Sequence, residues 1–289
     1  MYKHITIEIL NTFKSKFLSI LKVLILPILL LVSINSLANF LIYQNLSSGG
    51  NPKINQALVF SSALLSILIG MVTLMTIYRC ILEDNPDNKS FTAFIKAIKS
   101  GYAKRFMLYS VLTTICFVLF SALILFSLGF IFSLITGSTT IGPLGVALGF
   151  VAAIIIYSRV VLVLPANSIG DKLDFLGAIN LTKEHKMLTF YSLMILPFLF
   201  LITLVILAVA IVYLISLVAQ GVFVLVISIA INSISGLLLG VFTNICISNL
   251  YIQLKESNKE IEDNKIDGKQ IKDNQKENNQ QSKNGNDGR

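Results

Sequence analysis

Between Lys186 and Lys255 the chain carries no Asp, Glu, Lys, Arg or His, and the run is built almost wholly of Leu, Ile, Val, Phe and Ala. A soluble fold cannot absorb such a stretch, because a helix at a water-facing surface needs a polar face along its length. A bilayer can, since a spanning helix needs about 20 consecutive apolar residues. The run holds two such segments, 188–219 and 222–254, and four more lie upstream at 17–43, 57–82, 106–136 and 142–164. Several exceed the minimum, which predicts tilted helices or interfacial ends. Composition agrees, with 55% hydrophobic and only 13% charged residues and a mean hydropathy of +0.79, outside the range of soluble domains.

Charge orients the spans, because Lys and Arg resist translocation. Lys53 stands alone in the loop 44–56, and neither 136–142 nor Gln220-Gly221 carries a charge. These three loops are expected outside. Every other basic residue then lies in the cytoplasm with both termini. The polar cluster Asn232, Ser233, Ser235 and Gly236 could divide the last run into three crossings, but that would send Lys255, Lys259, Lys265 and Lys269 outward, so two are predicted. Acidic and basic residues balance within 255–289, which places the whole formal charge of +8 in the spanning part. A soluble nucleic-acid binder of pI 9.3 is thereby excluded. The predicted organisation is a six-span membrane domain, 1–254, and a cytoplasmic tail, 255–289. With isolated Ile261, Ile266 and Ile271 as its only large apolar residues, the tail is expected to be disordered.

An internal repeat links the cytoplasmic segments. SFTAFIKAIKSGYAKRFML and DKLDFLGAINLTKEHKMLT align at an offset of 81, pairing Phe94 with Phe175, Ala97 with Ala178, Ile98 with Ile179 and Arg105 with Lys186. Ile5, Ile9 and Lys16 take the equivalent places at an offset of 89 from the first. Phe94/Ile98 and Phe175/Ile179 are i,i+4 pairs and so share one helical face. The predicted fold is all-α: six transmembrane helices arranged as three two-span units, each preceded by an amphipathic cytoplasmic helix. Residues 90–105 are expected to lie as a helix at the membrane surface.

The stretch 158–193, SRVVLVLPANSIGDKLDFLGAINLTKEHKMLTFYSL, resembles the fourth-span exit and fifth-span entry of the YciC-like inner-membrane proteins of bacteria, through Arg159, Pro165, Asp171, Ala178 and Lys186. The opening ILNTFKSKFLSILKVLILP and the closing INSISGLLLGVFTNICISNLYIQL are similar to that family's ends. A comparable layout occurs in the membrane domain of some glycerophosphodiester phosphodiesterases. The resemblance covers about residues 5–254 and implies six spans and an inner-membrane address. It implies no reaction and no catalytic residue.

Chemistry-bearing residues are few. No Asp, Glu or His falls between the charged ends of the spans, which argues against a proton- or cation-coupled transporter built on a buried carboxylate. Cys80, Cys116 and Cys246 lack metal-ligand spacing and read as buried apolar residues. His4 and His185 have no ligand-spaced partner. No metal, cofactor or catalytic residue is predicted. Ser36-Leu37-Ala38 has the form of a signal-peptidase site, but the apolar run continues through Tyr43, so the first span is expected to stay. Two sets of candidates remain. Arg79, Lys104, Arg105, Arg159 and Lys186 are candidate contacts for anionic lipid headgroups; Arg79 and Arg159 each follow a tyrosine, and Tyr251 with Lys255 closes the sixth span in a similar way, which suggests three equivalent sites. Asn35, Asn39, Asn232 and Asn244 need hydrogen-bond partners in hydrocarbon, and bonds between helices are expected. Small-residue stripes, Gly145/Gly149/Ala153 and Gly236/Gly240/Asn244, would let helices approach closely.

The function expected is that of a non-enzymatic inner-membrane protein that binds anionic lipid and supports envelope or lipid homeostasis. The alternative is a small-solute or lipid transporter, or an accessory subunit of one. Membrane lipids are the expected partners; a membrane-protein partner and a second copy of this chain stay open.

Overall fold

The computed structural model describes residues 2–136, 142–217 and 221–284 and, within them, side chains up to residue 259 apart from those at 125, 128, 129, 132–136, 142–150, 222, 223 and 225. The described residues contain helices and connections and no strand. Six helices are long and apolar enough to cross a membrane. The predicted loop 136–142 and the pair Gly145/Gly149 lie largely outside the described residues.

Helix α1 (Tyr2–Ser47) turns into α2 (Pro52–Leu82) through four residues. Asn51 ends the turn as N-cap, its Oδ1 accepting from the Lys53 N–H at 2.9 Å, with Pro52 supplying the fixed φ favoured at a first helical position. Gly50 is required here, since a Cβ would lie 1.8 Å from Asn45 Oδ1. A linker with a 3-10 turn (Pro86–Lys89) leads to the short α3 (Ala93–Lys99) and then to α4 (Ala103–Thr136). Helix α5 (Gly142–Val160) stops short of the predicted span end at 164, and α6 (Val163–Ser168) restarts after a break. Pro165 explains the interruption, because proline lacks an N–H and its ring would clash with the carbonyl four residues back. Helix α7 (Phe175–Leu181) begins at Asp174, whose Oδ1 accepts from Gly177 N–H at 2.7 Å. Helix α8 (Lys186–Phe190) passes through a π-helical turn (Tyr191–Ile195) into α9 (Leu196–Ser216), and Pro197 just beyond that turn accounts for the widened winding.

The last helix, α10 (Val222–Asn284), runs on through the polar segment where composition predicts disorder. Physically, 255–284 has no proline and many Lys, Glu and Gln, which lose little rotamer freedom in a helix. The apolar helix ahead of it also supplies the nucleus an isolated segment lacks.

Packing pairs α1 with α2, α4 with α5 and α9 with α10; α2 also meets α4, α6 and α10, α6 meets α4 and α10, and α10 meets α1. Those wider contacts gather at the ends of the helices that carry the basic residues, where Ile9, Val23, Tyr78, Phe106, Leu162 and Leu250 are all buried. An aromatic triplet joins three helices there: the Phe200 and Phe242 rings stack at 4.1 Å, and Phe13 meets both edge-on.

Two details of the amphipathic segments differ from expectation. The first does not end before its span, since α1 is continuous from Tyr2 with Ile5 and Ile9 fully buried. In α3 the predicted Phe94/Ile98 face is divided: Phe94 and Ala97 enter the core, while Ile95 and Ile98 are exposed. Seven residues make two helical turns, so a core-facing edge and an outward apolar edge can flank the same helix.

Candidate functional site

The carboxylates at the basic end determine which cations are available there. The linker after α2 holds Glu83, Asp84 and Asp87. Glu83 takes an ion pair from Arg79 at 3.2 Å and a hydrogen bond from the Asn88 amide. Asp84 bridges Lys16, at 3.1 Å, and Lys89; their hydrogen bonds, that of Lys89 first, hold its carboxyl at about 2. Asp87 pairs with Lys96 at 2.7 Å. Across the bundle, Asp171 accepts from both Lys255 Nζ and Tyr251 Oη. Its partial burial favours the protonated form, but the bonds from Lys255 and Tyr251 outweigh that and keep its pKa below the ordinary value.

The predicted headgroup residues are thereby sorted. Arg79 is neutralised by Glu83 and its side chain is only 16% exposed, so it is not free to meet a lipid. Lys255 is engaged by Asp171. Lys104, Arg105, Arg159 and Lys186 have no carboxylate within ion-pair distance among the described residues. Lys104 and Lys186 are exposed and the two arginines half-buried. The three tyrosine-linked basic positions are therefore not equivalent: Arg159 alone is unpaired.

These four cations sit on α4, α5 and α8, the helices around α7. The Arg105 guanidinium lies over the Tyr109 ring at 5.6 Å from its centroid, and that ring meets Phe175 of α7 edge-on at 5.4 Å. Apolar side chains are exposed beside them: Phe91, Ile95, Ile98 and Tyr102 near α3, and Leu176, Ile179 and Met187 near α7 and α8. Between α4, α5 and α7 there is an apolar cavity of about 210 Å³ lined by Cys116, Phe117, Ile156, Tyr157 and Phe175 among others.

The polar residues predicted to bond between helices do something different. Asn35 Nδ2 donates to Leu31 O at 2.9 Å and Asn244 Nδ2 to Gly240 O at 2.8 Å, each four residues back on its own helix. Asn39 and Asn232 are exposed and have no hydrogen-bond partner among the described residues. A Cβ at Gly236 or Gly240 would meet nothing within 4 Å among the described residues, so these two glycines make no close helix contact there. In Asn35 and Asn244 the amide N–H thus turns to a local backbone carbonyl, a bond that needs no second helix.

Cross-helix polar ties exist elsewhere, at the basic end. Thr12 Oγ1 donates to Asn249 Oδ1 at 3.2 Å, Gln253 donates to Glu8, and the Thr6 and Tyr191 hydroxyls lie 3.1 Å apart. Buried Asn167 staples α6 to the α7 linker, its Nδ2 donating to Val163 O and Leu173 O at 2.8 Å each. Gly170, at φ +90°, lets that linker pass the Tyr102 ring, where a Cβ would come within 2.6 Å. Thr6, Thr12, Glu8 and their partners lacked a sequence signal because those partners lie far away in the chain; Asn167, whose partners are local, was not singled out.

The described structure is thus that of an all-helical chain with six membrane-length apolar helices, joined most closely at the end rich in basic residues. Comparison with protein-family models, with curated proteins and with solved structures returns no match.

Proposed function

We propose that this chain is a non-enzymatic, multi-pass protein of the bacterial inner membrane, built as three two-span units with both termini cytoplasmic, that binds anionic lipid at its basic end and serves envelope or lipid homeostasis. The observation that carries the reading is the company kept by Lys104, Arg105, Arg159 and Lys186: unpaired cations beside exposed apolar side chains of α3, α7 and α8. Cation above and hydrocarbon below is the composition suited to an anionic leaflet surface. The positive-inside distribution supports the orientation, and the pairing of α1 with α2, α4 with α5 and α9 with α10 supports the three units. The YciC-like resemblance points the same way.

The transporter alternative gains no support from Asn35, Asn39, Asn232 and Asn244, of which three are exposed and none reaches another helix. The test is lipid analysis of the purified full chain by mass spectrometry. Phosphatidylglycerol enriched over zwitterionic lipid, relative to the parent membrane, is the expected result, with the enrichment lowered when Lys104, Arg105, Arg159 and Lys186 are all changed to Gln. A lipid profile equal to that of the membrane contradicts the proposal.

A further inference from the structure

Resting on the lipid-binding reading, we infer that the cavity between α4, α5 and α7 is a site for one acyl chain of a single anionic glycerophospholipid, with Arg105 and Arg159 taking its headgroup. The walls are aromatic and aliphatic. Phe117 and Tyr157 meet edge-on at 4.8 Å and, with Cys116 and Ile156, form the sides, while Phe175 of α7 closes the basic end. The volume of about 210 Å³ exceeds the roughly 150 Å³ of an apolar cavity known to admit benzene, so a segment of hydrocarbon chain fits. Along α4 the lining runs from Thr113 to Phe120, about 10 Å at the helical rise of 1.5 Å per residue. The cavity is therefore elongated along the helix axis, as a chain would be. Phe120 and Ile156 are both partly exposed, so it opens sideways between α4 and α5, toward the hydrocarbon in which chains already lie.

Charge complementarity identifies the head. Arg159 falls between the lining residues Tyr157 and Val160 in α5, and Arg105 reaches the closing residue Phe175 through the Tyr109 ring. Neither arginine has a carboxylate partner among the described residues, whereas Arg79 and Lys255, at the corresponding ends of the second and sixth spans, do. A planar guanidinium suits the oxygens of a phosphodiester. A zwitterionic lipid such as phosphatidylcholine would bring a quaternary ammonium next to the two arginines together with its phosphate, so a lipid of net negative charge complements the pair better.

The test uses the full chain in vesicles of phosphatidylcholine containing phosphatidylglycerol with a diazirine on one acyl chain. Photolysis is expected to attach the chain chiefly to peptides containing Phe117, Tyr157 or Phe175. Labelling spread evenly over the exposed faces of α1 and α9 would overturn the assignment. Arg105→Gln and Arg159→Gln should each weaken the site-specific labelling about fivefold, the factor corresponding to one basic contact. Equal labelling from a phosphatidylcholine probe would overturn the headgroup part.

Ala153, buried and lining the cavity, gives a variant that fills it. Ala153→Phe should abolish labelling at these peptides while leaving the general enrichment of phosphatidylglycerol in purified protein unchanged, so the chain site and the broader lipid reading fail separately. Should Ala153→Phe not fold, Ile156→Phe at the partly exposed rim is the substitute, with the same outcomes expected and the same retention of label overturning the site.

Discussion

The two ends of this bundle are built on different terms. At the basic end, α2 buries seven residues between Val72 and Ile81 and α10 buries ten of the fourteen from Val241 to Leu254. Toward the charge-poor end the same helices bury none of their described residues, and large apolar side chains such as Phe60 (71% exposed) and Phe126 (80%) face outward. Low hydropathy does not explain the difference: the segment Lys186–Ser216, which includes α9, has the highest mean hydropathy of the six spans, 3.2, yet most of its side chains face outward. Apolarity does not drive association in lipid, since the lipid tails are as apolar as leucine. What joins the helices at the basic end is what lipid cannot supply: ion pairs such as Asp171 with Lys255, hydrogen bonds such as Thr12 with Asn249, and close aromatic packing around Phe13.

The largest expected contrast comes from one deletion made at each end. Phe106, fully buried and edge-on to Tyr78 at 6.4 Å, should cost about 3 kcal/mol when changed to Ala, the low end for such a loss because lipid recovers part of the transfer energy. Phe60→Ala should stay within about 0.5 kcal/mol. Unfolding in detergent or bicelles measures both, and equal losses would remove the distinction between the ends.

Next in size is Asp171→Ala, which strands Lys255 and the Tyr251 hydroxyl. The pair is partly solvated, so the loss should be about 1 kcal/mol, visible in the same unfolding experiment. No loss would mean that the α6–α7 linker is held by Asn167 and the apolar contacts alone.

A smaller effect is expected at Asn232, which is exposed and has no hydrogen-bond partner among the described residues. Asn232→Ala should change stability by no more than about 0.5 kcal/mol. A loss between about 0.6 and 1.7 kcal/mol, the range for an interhelical hydrogen bond, would reveal a partner helix from a second chain.

The smallest effect is a pH dependence at Asp84. Its folded pKa of about 2 lies below the unfolded value of about 3.9, so its contribution is fully present above the unfolded value and disappears as pH falls from there to about 2. The difference in stability between wild type and Asp84→Asn should therefore vanish below about pH 2. Because Asp84 is fully exposed, the difference should be small even at neutral pH.

What could be read from residues alone follows the same division. The spans were legible because hydropathy is a property of each segment by itself. The pairing of Asp171 with Lys255, 84 residues away, was not, and this pairing with that of Glu83 and Arg79 decides which of the span-closing cations stay free. Which partner an intramembrane asparagine takes is not legible either, because an amide in a helix can also turn to its own backbone, as Asn35 and Asn244 do. For segment 255–284, composition describes a peptide standing alone, whereas helix α10 runs into it from the last span.

The central claim is that the tightly joined, basic end of the bundle faces the cytoplasm. Alkaline phosphatase fused at Gly49, in the turn between α1 and α2, and after Lys259, beyond the last apolar stretch of α10, tests it directly in a bacterial host. Activity from the Gly49 fusion and none from the Lys259 fusion is the predicted result; activity from the Lys259 fusion would contradict it.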